Sequence, residues 1–200
     1  MATECIFPIP IYLSTIENFH IQQKFKDVHS KLTAENKLNY KKDRTPTHKL
    51  SSNDFSDNLI EEYDLVEFKN ELMAHLSEYL KEINRPHRVE QVKITASWMT
   101  SYTAGDYAQQ HCHGVADISG VYYVNAMTDD AKFYFSSPTR TLKSSYIFNH
   151  ILDKKYIEPK TGTIVLFPGW LEHGVETQVS NQERVSVSFN LEFIRPNLIP

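Results

Sequence analysis

The chain has 200 residues, of which 40% are hydrophobic, 23% charged and 12% aromatic, an ordinary globular composition that excludes a disordered or collagen-like protein. Its net charge of −4 provides no electrostatic footprint for nucleic acid or an anionic membrane, so neither is expected as a partner. The two cysteines, Cys5 and Cys112, cannot build a disulfide framework and point to a reducing compartment.

The N-terminal run Met1 to Leu13 lacks a basic region and is interrupted by Pro8 and Pro10, so it reads as neither a signal nor a transit peptide. No stretch approaches about 18 consecutive apolar residues, and a soluble, cytoplasmic protein is expected. Phe7 to Tyr12 is predicted as an edge strand, where a proline's missing donor costs little. From Thr15 to about Leu32 the recurrence of Ile16, Phe19, Phe25 and Val28 predicts a helix. Asn36 to Asn58 is rich in Lys, Asp, Ser and Asn and reads as a long exposed loop; its charge run Lys41, Lys42, Arg44, Lys49 reads as a solvated surface.

A second helix is predicted from Leu65, Phe68, Leu72, Leu76, Tyr79, Leu80 and Ile83, with Asp64 as N-cap and Pro86 past its end. Beyond Val89 the helical period gives way to short strands separated by turn signals. They are expected near Val92–Tyr102, Tyr107–His113, Ile118–Asn125, Lys132–Phe135, Tyr156–Glu158, Thr163–Phe167 and Arg184–Ile194. Helices followed by strands predict a mainly β fold with buttressing helices. A single domain over 1–200 is expected, with helical support at about 13–86 and the β core at about 89–195. In the last strand Val185, Val187, Phe189, Leu191 and Phe193 face one way, and Arg184, Ser186, Ser188, Asn190 and Glu192 the other. The polar face meets either solvent or an internal cavity.

The chain has nine histidines. In an extended strand His111 and His113 share a face with β-carbons about 7 Å apart, and two imidazoles at that spacing can converge on one cation. Cys112 then points away and reads as a small buried hydrophobe. His173 follows a separate strand and the turn Pro168-Gly169-Trp170. A close His-x-His pair with one distant histidine has the shape of a facial metal site that leaves positions open for other ligands. His20, His29, His48, His75, His87 and His150 read as surface or helix residues, and Trp98 and Trp170 as packing residues.

The run from Trp98 through Tyr102, Gly105, Tyr107, His111 and His113 to Ser119-Gly120-Val121-Tyr122-Tyr123-Val124-Asn125 resembles the core of the Fe(II)- and 2-oxoglutarate-dependent dioxygenases, in particular the prolyl-hydroxylase-like part of that superfamily. The block Pro159 to His173, followed by Glu183 to Asn190, is similar to its distal-histidine and co-substrate strands. Phe7-Pro8-Ile9-Pro10 is similar to the opening of a small bacterial and phage group of such oxygenases. The resemblance implies a double-stranded β-helix, a jelly-roll, holding Fe(II) in its mouth. It implies 2-oxoglutarate and O2 as co-substrates and hydroxylation of an unknown small-molecule or protein substrate, with release of succinate and CO2.

Carried over by residue, the resemblance makes His111 the first metal ligand and His173 the distal one. Most relatives have His-x-Asp in the first motif, whereas here His113 occupies the carboxylate position. The third ligand is then His113 or, after the Gly114 turn, Asp117; the direct i, i+2 geometry favours His113. Arg184 takes the place of the family's arginine for the distal carboxylate of 2-oxoglutarate, where a planar fork provides two parallel charge-assisted bonds. Ser186 lies on the same face, and Tyr123 and Tyr102 are implied to contact the co-substrate from neighbouring strands. Two other readings remain open: a cupin-type three-histidine dioxygenase without 2-oxoglutarate, and a catalytically silent metal-binding jelly-roll. Substrate-choosing loops are expected at Asn36–Asn58 and Ser136–Asp153, and the oligomeric state is not legible.

Overall fold

A computed structural model describes residues 8–41, 47–52, 56–85, 91–139 and 153–194. In chain order the elements are β1 (Tyr12–Thr15), α1 (Phe19–Ala34), β2 (Lys49–Leu50), α2 (Leu59–Glu62), α3 (Val66–Glu82), β3 (Val92–Tyr102) and β4 (Ala108–His111). There follow β5 (Ile118–Asn125), β6 (Phe133–Ser136), β7 (Lys154–Ile157), β8 (Thr163–Pro168), β9 (His173–Val175) and β10 (Arg184–Phe193). The strands form a six-stranded sheet ordered β1-β8-β5-β10-β3-β2 and a four-stranded sheet ordered β4-β9-β6-β7. The pairings between these strands are antiparallel. This is the double-stranded β-helix that the sequence leads one to expect.

The helices cover one face of the larger sheet. α1 begins where the side-chain oxygen of Asn18 accepts from the backbone N–H of His20 (3.0 Å) and Ile21 (3.3 Å), satisfying two of the donors a helix start leaves open. It buries Ile21, Phe25, Val28 and Leu32, and α3 buries Phe68, Leu72, Leu76, Tyr79 and Leu80. Against them pack Tyr122 and Val124 of β5, Ile164 and Leu166 of β8, and Val185, Val187, Phe189 and Leu191 of β10. A second apolar cluster fills the space between the sheets, with Tyr102, Val121, Tyr123, Val165 and Phe167 meeting Ala108, Phe133, Phe135, Ile157 and Val175. Strand alternation produces both layers, since Tyr122 and Tyr123 are neighbours in sequence and lie in different clusters.

Several local expectations require correction. The edge strand lies at Tyr12–Thr15 rather than Phe7–Tyr12, and Phe7 lies outside the described residues. Tyr12–Thr15 pair with Leu166–Thr163, so Thr15 belongs to a strand and the helix starts later, after Asn18. Asp64 is not the N-cap of α3: it sits at φ 49° in the connection from α2, and the cap position is Leu65, which has no side-chain cap bond. The segment 36–58 is not a plain exposed loop. Lys49 and Leu50 pair with Ser101 and Thr100, and Asn39 bridges to Leu50; Lys42 and Arg44 lie outside the described residues. Strand β4 stops at His111, so Cys112 falls beyond the strand and is exposed rather than buried.

Candidate metal centre

His111 closes β4 and His173 opens β9, and the register of the two strands sets them opposite one another. His113 lies just past the end of β4. Its backbone N–H donates to the carbonyl of Gly169 (2.8 Å), and its own carbonyl accepts from Ala116 N (2.8 Å), so a tight turn aims the ring back toward the strand pair. The metal-capable atoms of His111, His113 and His173 all lie within 4.8 Å of one another. Ring centroids are 5.1 Å apart for His111 and His113, 4.5 Å for His111 and His173, and 5.0 Å for His113 and His173.

Each ring is held through Nδ1. His111 Nδ1 lies 2.7 Å from the carbonyl of Gln109, and His173 Nδ1 lies 2.8 Å from the carbonyl of Leu171. His113 Nδ1 lies 2.6 Å from Asn190 Oδ1, an oxygen that also accepts from the Ser119 hydroxyl at 2.9 Å. Carbonyl oxygens only accept, so Nδ1 is the donor on all three rings, and it is Nε2 that a neutral ring offers to a metal. Orientation of a ligating imidazole through its other nitrogen is the usual support of a metal site. Burial, with His111 and His113 as neighbours, pushes the pKa of His173 down to about 3. Burial also lowers that of His113. Neutral imidazole is the form that binds a metal.

The surroundings of the triad are aromatic. Trp98 stands 5.5 Å from His113 between ring centroids, and Phe133 and Phe167 stand 5.3 and 4.8 Å from His173. Trp170, expected to pack, is 52% exposed. Asp117 is placed elsewhere: its Oδ2 accepts from Phe193 N (2.9 Å) and its N–H donates to the carbonyl of Leu191 (3.0 Å). That carboxylate ties the start of β5 to the end of β10.

Arg184 opens β10 and is 1% exposed. The polar face of β10 therefore turns inward, between the sheets. The guanidinium carbon lies 4.7 Å from the Tyr102 ring centre and 4.9 Å from that of Tyr123. Its Nε and Nη1, and the Tyr123 hydroxyl, are buried without a hydrogen-bond partner among the described residues. Burial raises the pKa of both tyrosines, and the Arg184 charge opposes the rise. Ser186 is buried two residues on, with its hydroxyl 2.8 Å from that of Thr100. Tyr122 turns the other way and packs in the helix layer, 5.4 Å from Phe25 and 5.1 Å from Phe68 between ring centroids.

Two residues here escaped sequence reasoning. Asn190, the support of His113, shares the polar face of β10 with Arg184, a signal that alternation already contained. His48, read as a surface residue, is half-buried, with its ring stacked on Tyr102 at 4.7 Å and 11°. Burial lowers its pKa to about 4, and the fields of His111 and Arg184 add to the effect. Only the pairing of β2 with β3 reveals this position, and no local motif announces it.

Comparison with known proteins agrees with this architecture. Residues 96–190 match the model of a family described as "Putative 2OG-Fe(II) oxygenase". Among solved structures, the chain is similar to a Pseudomonas putida prolyl-4-hydroxylase, with 14% identity, 94% of each chain covered and a TM-score of 0.59. It is also similar to HygX from Streptomyces hygroscopicus, solved with nickel, 2-oxoglutarate and hygromycin B, with 10% identity, 95% of this chain and 84% of that one covered, and a TM-score of 0.59. A third is the non-heme alpha-ketoglutarate-dependent epimerase SnoN of nogalamycin biosynthesis, with 9% identity, 96% and 82% covered, and a TM-score of 0.67. At such identities these likenesses bear on the fold. No curated protein matches the sequence. Fold and site define a jelly-roll with a cluster of three histidines, and residues 96–190 match the 2OG-Fe(II) oxygenase model. No helix among the described residues is long and apolar enough to cross a membrane.

Proposed function

We propose that the protein is an Fe(II)- and 2-oxoglutarate-dependent dioxygenase that hydroxylates a small-molecule or protein substrate. The observation that carries this reading is the buried fork of Arg184, whose Nε and Nη1 have no hydrogen-bond partner among the described residues. An isolated buried charge costs several kcal/mol or more. A carboxylate facing the fork would offset that cost through two charge-assisted bonds, with the orphaned Tyr123 hydroxyl as a third donor. The three histidines also fit the metal: imidazole nitrogens suit iron, nickel, copper and zinc, and three ligands on one side leave positions for a bidentate 2-oxo acid and O2.

In this reading His111, His113 and His173 hold Fe(II) through Nε2. Bound iron supplies the oxidising chemistry, in which 2-oxoglutarate, O2 and a substrate C–H bond yield succinate, CO2 and the hydroxylated product. Arg184 anchors the distal carboxylate and so fixes which end of the dicarboxylate faces the triad. Phe133 and Phe167 shield His173 from water and Trp98 flanks His113, while His111 stays exposed on the open side. With three neutral ligands the protein cancels none of the cation's charge, whereas the family's usual carboxylate cancels one unit, so an anionic co-substrate is drawn in more strongly.

Anaerobic titration of the Fe(II)-loaded protein with 2-oxoglutarate should produce a weak visible charge-transfer band. Arg184→Ala should abolish the 2-oxoglutarate dependence while Fe(II) still binds. A wild-type protein that binds Fe(II) but gives no response to 2-oxoglutarate would overturn the reading in favour of a cupin-type or silent module, both of which leave the buried guanidinium without a role.

A further inference from the structure

Two rings flank the Arg184 guanidinium, Tyr102 at 4.7 Å and Tyr123 at 4.9 Å, and among the described residues its Nε and Nη1 have no hydrogen-bond partner. One of the two rings, Tyr123, is fixed by its place in the middle of the sheet, on β5 between β8 and β10. The other, Tyr102, is the last residue of β3. Its partner on one side is Arg184, directly opposite in the β10 register. On the other side β2 spans only Lys49 and Leu50. The register of that short strand, with Lys49 opposite Ser101, carries His48 to the level of Tyr102, where its ring stacks at 4.7 Å. Tyr102 thus faces Arg184 across the β3–β10 pair and His48, just before β2, on its other side, while Tyr123 reaches the guanidinium from β5, one register step along opposite Ser186.

His48 is itself held firmly. Its Nδ1 lies 3.1 Å from the Tyr107 carbonyl and 2.9 Å from the Thr47 hydroxyl, and Tyr107 N donates to the Thr47 carbonyl at 2.9 Å. The imidazole therefore stands as a fixed wall against the outer face of Tyr102. Without it that face lacks its stacking partner, and the Tyr102 ring, and with it the guanidinium, gains rotational freedom.

We propose that His48 is a positioning residue for the co-substrate: by stacking on Tyr102 it locks the ring over which Arg184 lies, and so pre-orients the guanidinium for a dicarboxylate. This inference rests on the reading of Arg184 as the 2-oxoglutarate anchor. Pre-organisation of this kind strengthens binding by removing the cost of ordering the fork at the moment of contact.

The test is calorimetric titration of 2-oxoglutarate into Mn(II)-loaded wild type, His48→Ala and His48→Phe, with Mn(II) affinity measured separately. Aromatic contacts of this type are worth about 0.5–1.5 kcal/mol, which corresponds to roughly a two- to twelvefold change in affinity. His48→Ala should weaken 2-oxoglutarate binding within that range and leave Mn(II) affinity unchanged. His48→Phe keeps a flat ring and loses the Nδ1 bond, and it should recover affinity to within about twofold of wild type. The proposal is wrong if His48→Ala binds 2-oxoglutarate as wild type does, if Phe fails to rescue, or if Mn(II) affinity falls in parallel. A wild-type protein that binds Mn(II) but not 2-oxoglutarate sinks the Arg184 reading itself, which is a separate failure.

Discussion

At the scale of single residues, the triad depends on what stands behind each histidine. Two of the three Nδ1 atoms donate to backbone carbonyls, which no substitution can remove. The third donates to a side chain, Asn190. Second-layer partners of metal ligands typically contribute 10- to 100-fold in affinity. Asn190→Ala is therefore expected to weaken metal binding by about that factor in a chelator-competition assay, with the three ligands untouched. Asp117→Ala is the matched control. It should lower stability by about 1 kcal/mol through the lost bond to Phe193 N and leave metal affinity as it is. Equal losses of metal affinity in the two variants would mean that Asp117 takes part in ligation after all.

At the scale of elements, the histidines are placed by strand ends rather than by one continuous strand. The His-x-His spacing singled out the pair on the assumption of an extended strand through 113, whereas β4 ends at His111. What aims His113 is a turn docked on the end of β8, where Gly169 accepts from His113 N (2.8 Å) and donates to the Asp117 carbonyl (3.3 Å). A β-carbon at Gly169 would lie 2.2 Å from the Ala116 carbonyl oxygen, so only glycine permits this approach. Gly169→Ala should cost about 1–3 kcal/mol of stability, the usual range for overpacking, and should push the 113–117 turn away from the other two ligands. Denaturant unfolding and metal titration of the same variant should both show a loss. A destabilised variant with wild-type metal affinity would indicate that the turn relaxes without moving His113.

At the scale of the whole molecule, burying neutral imidazoles makes the metal-free protein acid-sensitive. His48 and His173 have folded pKa values of about 4 and about 3, below the ordinary 6.5, while the unfolded chain keeps that ordinary value. Below pH 6.5 the unfolded state therefore binds more protons, and stability falls as pH drops from 6.5 toward the folded values. The loss should begin between pH 6.5 and 5, above the range in which carboxylates titrate, and reach several kcal/mol at most by pH 4. A melting midpoint that stays flat from pH 7 to 5 in metal-free protein would contradict the buried neutral state. Bound metal should steepen the same limb, because protons and metal compete for Nε2.

Composition and periodicity were enough for element type: the apolar stripe of α3 and the long strands β3, β5 and β10; spacing singled out His111, His113 and His173 as candidates, and Arg184 entered through the family resemblance. Those features are local, since a helical or alternating pattern expresses burial within a few residues of chain. Which way the polar face of β10 points was not legible, because alternation distinguishes two faces without saying which is enclosed. Only the second sheet, packed over that face, turns Arg184 into a buried fork and Asn190 into a support for His113. His48 was invisible for the same reason: its meaning lies in the register of a two-residue strand against β3, and register is a relation between distant segments that no single stretch of sequence contains.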